Sequence, residues 1–223
     1  MIRYSVITPS RGDRPAALRQ ALASALEAAR AAGLEDNVEL LVGFDGRHGE
    51  RVIPHPAIRY VDLPADNDLG NAIRHALIRA ARGTRLVFLD DDNILLPDAF
   101  TLYEQFPDAD MLVASIDTSR AFPDVPRLPR PEGELLRQGN IDPLCLCVTR
   151  DLVLTRCGGW MSTTAGTSAY STDYLNIRHY ARRAATITRT AQVVGVYDAG
   201  RGLDRQGMNP RQQQLETQPK QLG

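Results

Sequence analysis

The chain has 223 residues, a formal net charge of −1 and a hydrophobic fraction of 43%. These values suit one compact domain and argue against a dedicated nucleic-acid-binding protein, because no excess of basic residues is available for phosphates. Lys220 is the only lysine, which excludes mechanisms that need a lysine inside the fold, such as a P-loop or a Schiff base. No segment has the length and apolarity of a membrane span and the start lacks a signal peptide, so we expect a cytoplasmic protein.

The first half of the chain alternates between apolar strands and amphipathic helices. Helices are predicted at 14–32 and 67–82, and they end at Gly33 and Gly83. A β-α-β alternation of this kind predicts an α/β fold with a mostly parallel central sheet flanked by helices. The predicted strands are 3–8, 38–44, 58–63, 86–89 and 111–115, and a third helix is predicted at 97–106.

The second half is less regular and predicts a smaller mixed sheet. Residues 119–140 contain four prolines and are expected to form a loop. Strands are predicted at 142–149, 186–190 and 192–197, with helical segments at 151–155 and 171–183. From residue 207 the chain shows no period, and we expect a disordered tail at 207–223. We therefore assign residues 1–206 to a single domain with halves 1–98 and 99–206.

Three adjacent carboxylates follow the apolar run Leu86–Leu89, which is a predicted buried strand. Ligands of open α/β sheets bind at the carboxyl ends of the strands, where Asp90, Asp91 and Asp92 are expected. Adjacent acids repel one another, and their oxygen atoms suit Mg²⁺ or Mn²⁺, which usually bind together with substrate phosphates. The alternative is a solvated acidic turn before the helix that begins at Pro97. Spacing alone does not show which of the three carboxylates would bind the cation directly.

Several segments resemble the family 2 glycosyltransferases, which use nucleotide sugars and have the glycosyltransferase A-type fold. The first strand, with Thr8-Pro9, is similar to the first strand of that family, and Gly70 with Arg74 matches its glycine–arginine helix. The acidic run and the following Pro97-Asp98 resemble its metal-binding motif, in the form found in its spore-coat polysaccharide enzyme. The resemblance covers residues 3–198 and is strongest up to Asp98.

The resemblance implies a single nucleotide-diphospho-sugar transferase domain whose first half binds a nucleoside-diphosphate sugar, with a UDP-sugar favoured. It also implies that Asp92 is the direct ligand of Mn²⁺ or Mg²⁺, which would act as a Lewis acid on the leaving diphosphate. For Asp45 a simple Asp-Gly turn is an alternative, and for Arg74 a solvent-facing position on its helix. The residues expected to bind the nucleotide sugar are Thr8, Pro9, Arg11, Asp45, Arg74, Asp90 and Asp91.

On the acceptor side, the resemblance implies that Asp173 is the general base of an inverting displacement. Asp142 and Trp160 are expected to bind the hydroxyl acceptor, which is an unknown glycan, lipid-linked molecule or small molecule. The alternatives are stabilisation of a helix start for Asp173 and a core position for Trp160. We expect no nucleic-acid partner, and a homodimer is compatible with the sequence.

Two other functions stay open at this point. The family usually has glutamate where this chain has Thr172, which favours a non-catalytic nucleotide-sugar-binding protein. Asp90 and Asp92 after an apolar strand also resemble the nucleophile motif of phosphatase-like hydrolases. That second alternative is weakened by the absence of a lysine inside the fold.

Overall fold

A computed structural model describes residues 1–66, 68–132, 134–163 and 171–217. The helices are Pro15–Ala31 (α1), Asn71–Ala80 (α2), Ala99–Glu104 (α3), Thr172–Ala181 (α4) and Pro210–Thr217 (α5). The strands are Tyr4–Ser10 (β1), Val38–Asp45 (β2), Ile58–Leu63 (β3), Arg85–Phe88 (β4), Ile94–Leu95 (β5), Met111–Asp117 (β6), Arg127–Leu128 (β7), Leu146–Thr149 (β8) and Ile187–Val196 (β9). Within these described ranges, nine strands form one sheet in the order β3-β2-β1-β4-β8-β6-β9-β5, with β7 paired to β6.

The first four strands of this order are parallel, as the β-α-β pattern predicts. All seven residues of β1 are buried, because a central parallel strand is covered by helices on both faces. The α1 helix covers one of these faces with small and branched apolar residues at helical spacing, among them Leu18, Ala21, Leu22 and Ala25. The carboxyl ends of β1, β2 and β4 therefore meet at one edge of the sheet.

The remaining strands are mixed and continue the same sheet. β8 lies between β4 and β6 and is antiparallel to both, whereas β9 is parallel to β6. The two strands predicted at 186–190 and 192–197 are one strand, β9, whose pairing with β6 is irregular around Ser115. The strand predicted from residue 142 begins only at Leu146, because Pro143 lacks an N–H for the ladder and starts a 3₁₀ turn.

The prediction of a disordered tail from residue 207 is wrong for the part that the structure describes. Asn209 begins α5 as its N-cap residue, since its side chain accepts a hydrogen bond from the backbone N–H of Gln212 at 2.9 Å. Pro210 occupies the first helical position, where its missing N–H costs nothing. The helix escaped the sequence argument because it has no apolar face, and Gln212 is its buried residue. Residues 218–223 lie outside the described ranges.

The three cysteines are free. Cys145 and Cys147 are buried and Cys157 is half-buried. No helix in the described part of the chain is long and apolar enough to cross a bilayer.

Candidate functional site

The first residues of the site follow β4. Asp91 is buried and accepts a hydrogen bond from the Ser10 hydroxyl at 2.6 Å, and the Arg14 guanidinium lies 2.5 Å from its other oxygen. Burial raises the pKa of Asp91 to about 7, although the positive charge of Arg14 opposes this shift. The side chain therefore connects the ends of β1 and β4 inside the protein, which differs from the predicted contact with the nucleotide sugar.

Arg74 joins the acidic turn to the start of α4. Its guanidinium lies 2.6 Å from Asp90 Oδ1 and 3.7 Å from Asp173 Oδ1, and its carbon is 5.3 Å from the centre of the Trp160 ring. Burial lowers the pKa of Arg74, but the carboxylates of Asp90 and Asp173 outweigh that effect and raise it above its usual value. The solvent-facing alternative for Arg74 is wrong, because only 4% of the residue is exposed.

A cavity of about 390 Å³ lies beside this arginine. Burial, followed by the charge of Asp90, raises the pKa of Asp142 to about 7. Burial also raises the pKa of Asp173, and Arg74 limits that rise. A carboxylate with a raised pKa is a stronger base than an ordinary aspartate, so this cavity is suited to removing a proton from a hydroxyl. The lining includes Leu69, Arg74, Asp90, Phe122, Gln138, Asp142, Asp173, Tyr174 and Tyr197.

The third aspartate of the turn faces a different group of residues. Asp92 Oδ2 accepts hydrogen bonds from Arg14 Nη1 at 2.5 Å and from Gln212 Nε2 at 2.8 Å. The same Gln212 nitrogen donates to Asp198 Oδ1. Asp198 is fully buried and has a positive φ of 62°, a conformation that non-glycine residues adopt mainly under local constraint. Burial raises the pKa of Asp92, and the nearby negative charges add to this rise.

The other predicted nucleotide-sugar residues lie along the ends of β1 and β2, outside the cavity lining. Thr8-Pro9 is buried within β1, so its side chains do not face the cavity. Arg11 is about half-exposed and forms an ion pair with a neighbouring aspartate at 2.9 Å. Asp45 Oδ1 accepts the backbone N–H of Asp66 at 2.7 Å, which is the contact expected of a carboxylate that organises a turn.

Trp160 occupies a core position instead of the predicted acceptor-binding one. Only 2% of the residue is exposed, and its ring packs at 5.3 Å from Phe88 and 6.2 Å from Tyr180. The indole N–H donates to Asn71 Oδ1 at 2.8 Å. The ring has the core position that the alternative gives it, and it could stack on a sugar only by leaving the core.

Sequence reasoning missed four residues around the acidic turn, namely Ser10, Arg14, Asp198 and Gln212. The sequence pattern could have identified one of them, because Asp198 follows the apolar end of β9 in the way that Asp90 follows β4. The contacts of Arg14 and Gln212 depend on how α1 and α5 pack, and this is not written in their local sequences.

Comparisons with known proteins identify the class to which this fold and site belong. The profile described as Glycosyl transferase family 2 matches residues 5–163, which is more than half of the chain. The chain therefore belongs to glycosyl transferase family 2. A comparison with curated proteins gives no match.

Solved structures with the same fold include several of TarS from S. aureus. The crystal structure of TarS 1–349 superposes with a TM-score of 0.66 at 13% identity, over 87% of this chain and 60% of that chain. TarS 1–349 in complex with UDP gives 0.66 at 12% identity over 88% and 60%. The complex with UDP-GlcNAc gives 0.59 at 12% identity over 88% and 58%. The chain thus spans about 60% of the length of TarS 1–349.

Proposed function

We propose that this protein transfers a sugar from a nucleoside-diphosphate sugar to a hydroxyl acceptor with inversion at the anomeric carbon. The observation that carries the proposal is the cavity in which Asp90, after β4, and Asp173, at the start of α4, face each other across Arg74. Family membership supports the transferase class. UDP is the favoured nucleotide, because TarS has the same fold and was crystallised with UDP and with UDP-GlcNAc.

Asp173 is the group we assign to proton removal. As the acceptor oxygen forms its bond to the anomeric carbon, the bond from that carbon to the diphosphate oxygen breaks and the hydroxyl proton passes to Asp173. One displacement of this kind inverts the anomeric configuration. Arg74 would hold Asp173 and Asp90 in fixed positions, because its buried guanidinium contacts both carboxylates. The acceptor, a glycan, a lipid-linked molecule or a small molecule, would bind near Asp142 and the aromatic rings of Phe122 and Tyr174.

Asp92 is the residue we assign to a divalent cation, Mn²⁺ or Mg²⁺. In the described residues, no group of three histidine, cysteine, aspartate or glutamate side chains is arranged to hold a metal ion. Mg²⁺, however, is commonly held by one or two carboxylates together with substrate phosphates, and Asp92 with Asp198 provides such a pair. Asp198 Oδ2 is buried and accepts no hydrogen bond from the described residues, and the nearest guanidinium nitrogen, of Arg201, is 3.5 Å away, which leaves this oxygen free to bind a cation. When bound, the cation would stabilise negative charge on the leaving diphosphate.

Thermal unfolding with nucleotides tests the donor site. UDP, GDP, dTDP and CDP are each added with and without Mn²⁺, and a ligand at one hundred times its dissociation constant adds about 2.7 kcal/mol. For a domain of this size, we expect the unfolding midpoint to rise by roughly 5–11 °C with UDP and Mn²⁺ together. The shift should disappear in Asp92→Ala and persist in Asp98→Ala, a matched control because Asp98 is exposed and its side chain caps nothing. No shift with any nucleotide would refute the donor site.

Replacement of the base separates the transferase from a non-catalytic nucleotide-sugar binder. Asp173→Asn should retain the nucleotide-dependent thermal shift, since the substitution leaves the acidic turn intact. Transfer from the native donor should fall by at least about a hundredfold, which is the lower range of general base contributions. Intact transfer in Asp173→Asn would show that another group removes the proton. A thermal shift without transfer or donor hydrolysis in the wild type would instead support the binding protein.

A further inference from the structure

The residue that should hold the cation is absent from the lining of the cavity. Asp90 lines it, whereas Asp92 is covered on its other side by Arg14 and by Gln212 of α5. Gln212 is 1% exposed, in a helix whose other side chains are exposed or half-exposed. When a polar helix buries a single polar side chain, that side chain has specific partners. For Gln212 the partners are Asp92 and Asp198.

The orientation of the Gln212 amide is fixed from both ends. Its Oε1 accepts the backbone N–H of Asn209 at 3.0 Å, while the Asn209 side chain accepts the backbone N–H of Gln212 at 2.9 Å. This reciprocal pair is a capping box. Because the oxygen is used in the box, the NH₂ group has to face the two carboxylates, and its nitrogen donates to one oxygen of each.

The amide nitrogen occupies the space between Asp92 and Asp198 and carries partial positive charge towards both. A divalent cation held by the same oxygens needs contacts of about 2.0–2.6 Å, which leaves no room for a nitrogen donating to both carboxylates. Binding of the cation at Asp92 and Asp198 and docking of Gln212 are therefore mutually exclusive.

The charges around this position are balanced without a cation. Arg14 lies 2.5 Å from both Asp91 and Asp92, and Arg201 and Arg211 lie 3.5 and 3.6 Å from Asp198. Three guanidinium groups thus face three carboxylates. In the docked form of the tail each of these carboxylates already has an arginine beside it, so a cation has to displace an existing arrangement.

Outside Gln212, the contacts of α5 with the rest of the protein come from Arg211 and Glu216. Arg211 packs its guanidinium at 5.0 Å from the Phe122 ring and 5.2 Å from the Tyr197 ring, and Glu216 forms a partly exposed ion pair with Arg201 at 3.1 Å. A partly exposed ion pair such as that of Glu216 contributes little to stability, whereas Arg211 also lies 3.6 Å from the buried Asp198. The preceding loop is held more firmly, because Asp204 accepts the first backbone N–H groups of α1.

We propose that residues 208–217 are a built-in competitor for the donor's divalent cation: Gln212 occupies the cation position between Asp92 and Asp198, and binding of cation and donor releases α5. This inference rests on the cation site of the proposed function. The tail then makes cation binding depend on donor binding, since the donor diphosphate adds ligands that help to displace the glutamine.

Direct binding of Mn²⁺, measured from the electron paramagnetic resonance signal of the free ion, tests the competition. Hydrogen bonds to charged groups are among the stronger ones in proteins, so we expect Gln212→Ala to bind Mn²⁺ about tenfold more tightly than the wild type. Gln214→Ala, an exposed position of the same helix, should match the wild type. Equal affinities in wild type and Gln212→Ala, with binding abolished in Asp92→Asn, would overturn the competitor and leave the cation site standing. No Mn²⁺ binding in any form, even with UDP, would overturn both.

Hydrogen exchange gives a second test, whose main result is obtained on the wild-type protein. Mn²⁺ with UDP should increase amide exchange in residues 210–217 by at least about tenfold, because the capping box opens. Asp92→Asn should show no increase. Unchanged protection of α5 while Mn²⁺ binds to the wild type would overturn the proposal.

Discussion

Arg74 is the buried cation on which the geometry of the cavity depends, and its removal should be costly. Replacing it with methionine keeps an unbranched chain of similar length and deletes the charge that contacts Asp90 and Asp173. Removing one partner of a buried ion pair costs about 3–5 kcal/mol. The side chains of Asp90 and Asp173 are 33% and 37% exposed, so water solvates them in part and we expect a loss of about 2–3 kcal/mol.

Thermal and chemical unfolding measure this loss. In a domain of this size it corresponds to a midpoint lowered by about 5–10 °C. Arg79→Met, at an exposed position of the same helix, is the matched control and should stay within about 0.5 kcal/mol of the wild type. The double variant Arg74→Met, Asp90→Asn should recover part of the loss, because it also removes the carboxylate left without a partner.

The charge of Arg74 also sets the basicity of Asp173. Burial raises the pKa of this carboxylate and Arg74 opposes the rise, so Arg74→Met should raise the pKa of Asp173 further. Carbon-13 NMR of the side-chain carboxyl groups follows this titration directly. An Arg74→Met protein that unfolds within 2 °C of the wild type (about 1 kcal/mol or less) and whose Asp173 titrates unchanged would refute the reasoning.

Three further predictions follow from buried groups. Trp160→Ala should lower the free energy of unfolding by about 3–5 kcal/mol in urea titrations, and a loss below 1 kcal/mol would contradict its core position. The pKa of Asp142 is raised to about 7 in the folded state, so this group favours folding at low pH and loses that contribution as pH rises from about 4 to 7. Relative to Asp142→Asn, the wild type should therefore lose about 3–4 kcal/mol between pH 4 and pH 7.5, and parallel pH profiles would refute this. Under native conditions an alkylating reagent should modify Cys157 first, because the two other cysteines are buried; mass spectrometry that finds either of them modified earlier would oppose this.

The parallel half of the fold could be predicted from the sequence because each element there is defined by its own residues. β1 and β2 are rich in apolar and β-branched residues, and α1 has an apolar face that ends shortly before a glycine. The mixed half depends on pairings between distant segments. Nothing local shows that 186–197 forms one strand along β6, or that β5, two residues long, pairs with β9.

The candidate site likewise has residues that could be proposed from the sequence and residues that could not. The acidic turn could be proposed from sequence because it stands at the end of a recognisable strand, whereas the role of Asp173 was implied by the family resemblance alone. The partners of these carboxylates could not be proposed from sequence, since Arg14 reaches Asp91 and Gln212 reaches Asp92 only through tertiary packing. The sequence argument also treated Arg74 as a ligand of the nucleotide sugar, whereas in the structure its buried guanidinium pairs with Asp90 and Asp173.

The acidic turn is also a short connection between two strands that are far apart in the sheet order. β4 is the fourth strand of the sheet order and β5 the eighth, yet only residues 89–93 connect them. Four steps between flat neighbouring strands would span about 19 Å. Six fully extended residue steps span roughly 20 Å, and this segment is folded, with the Asn93 N–H bonded to the Asp90 carbonyl at 3.1 Å. The sheet therefore has to curl until its edge approaches its middle, and the length of the turn limits how far the two halves can separate while the aspartates stay in place.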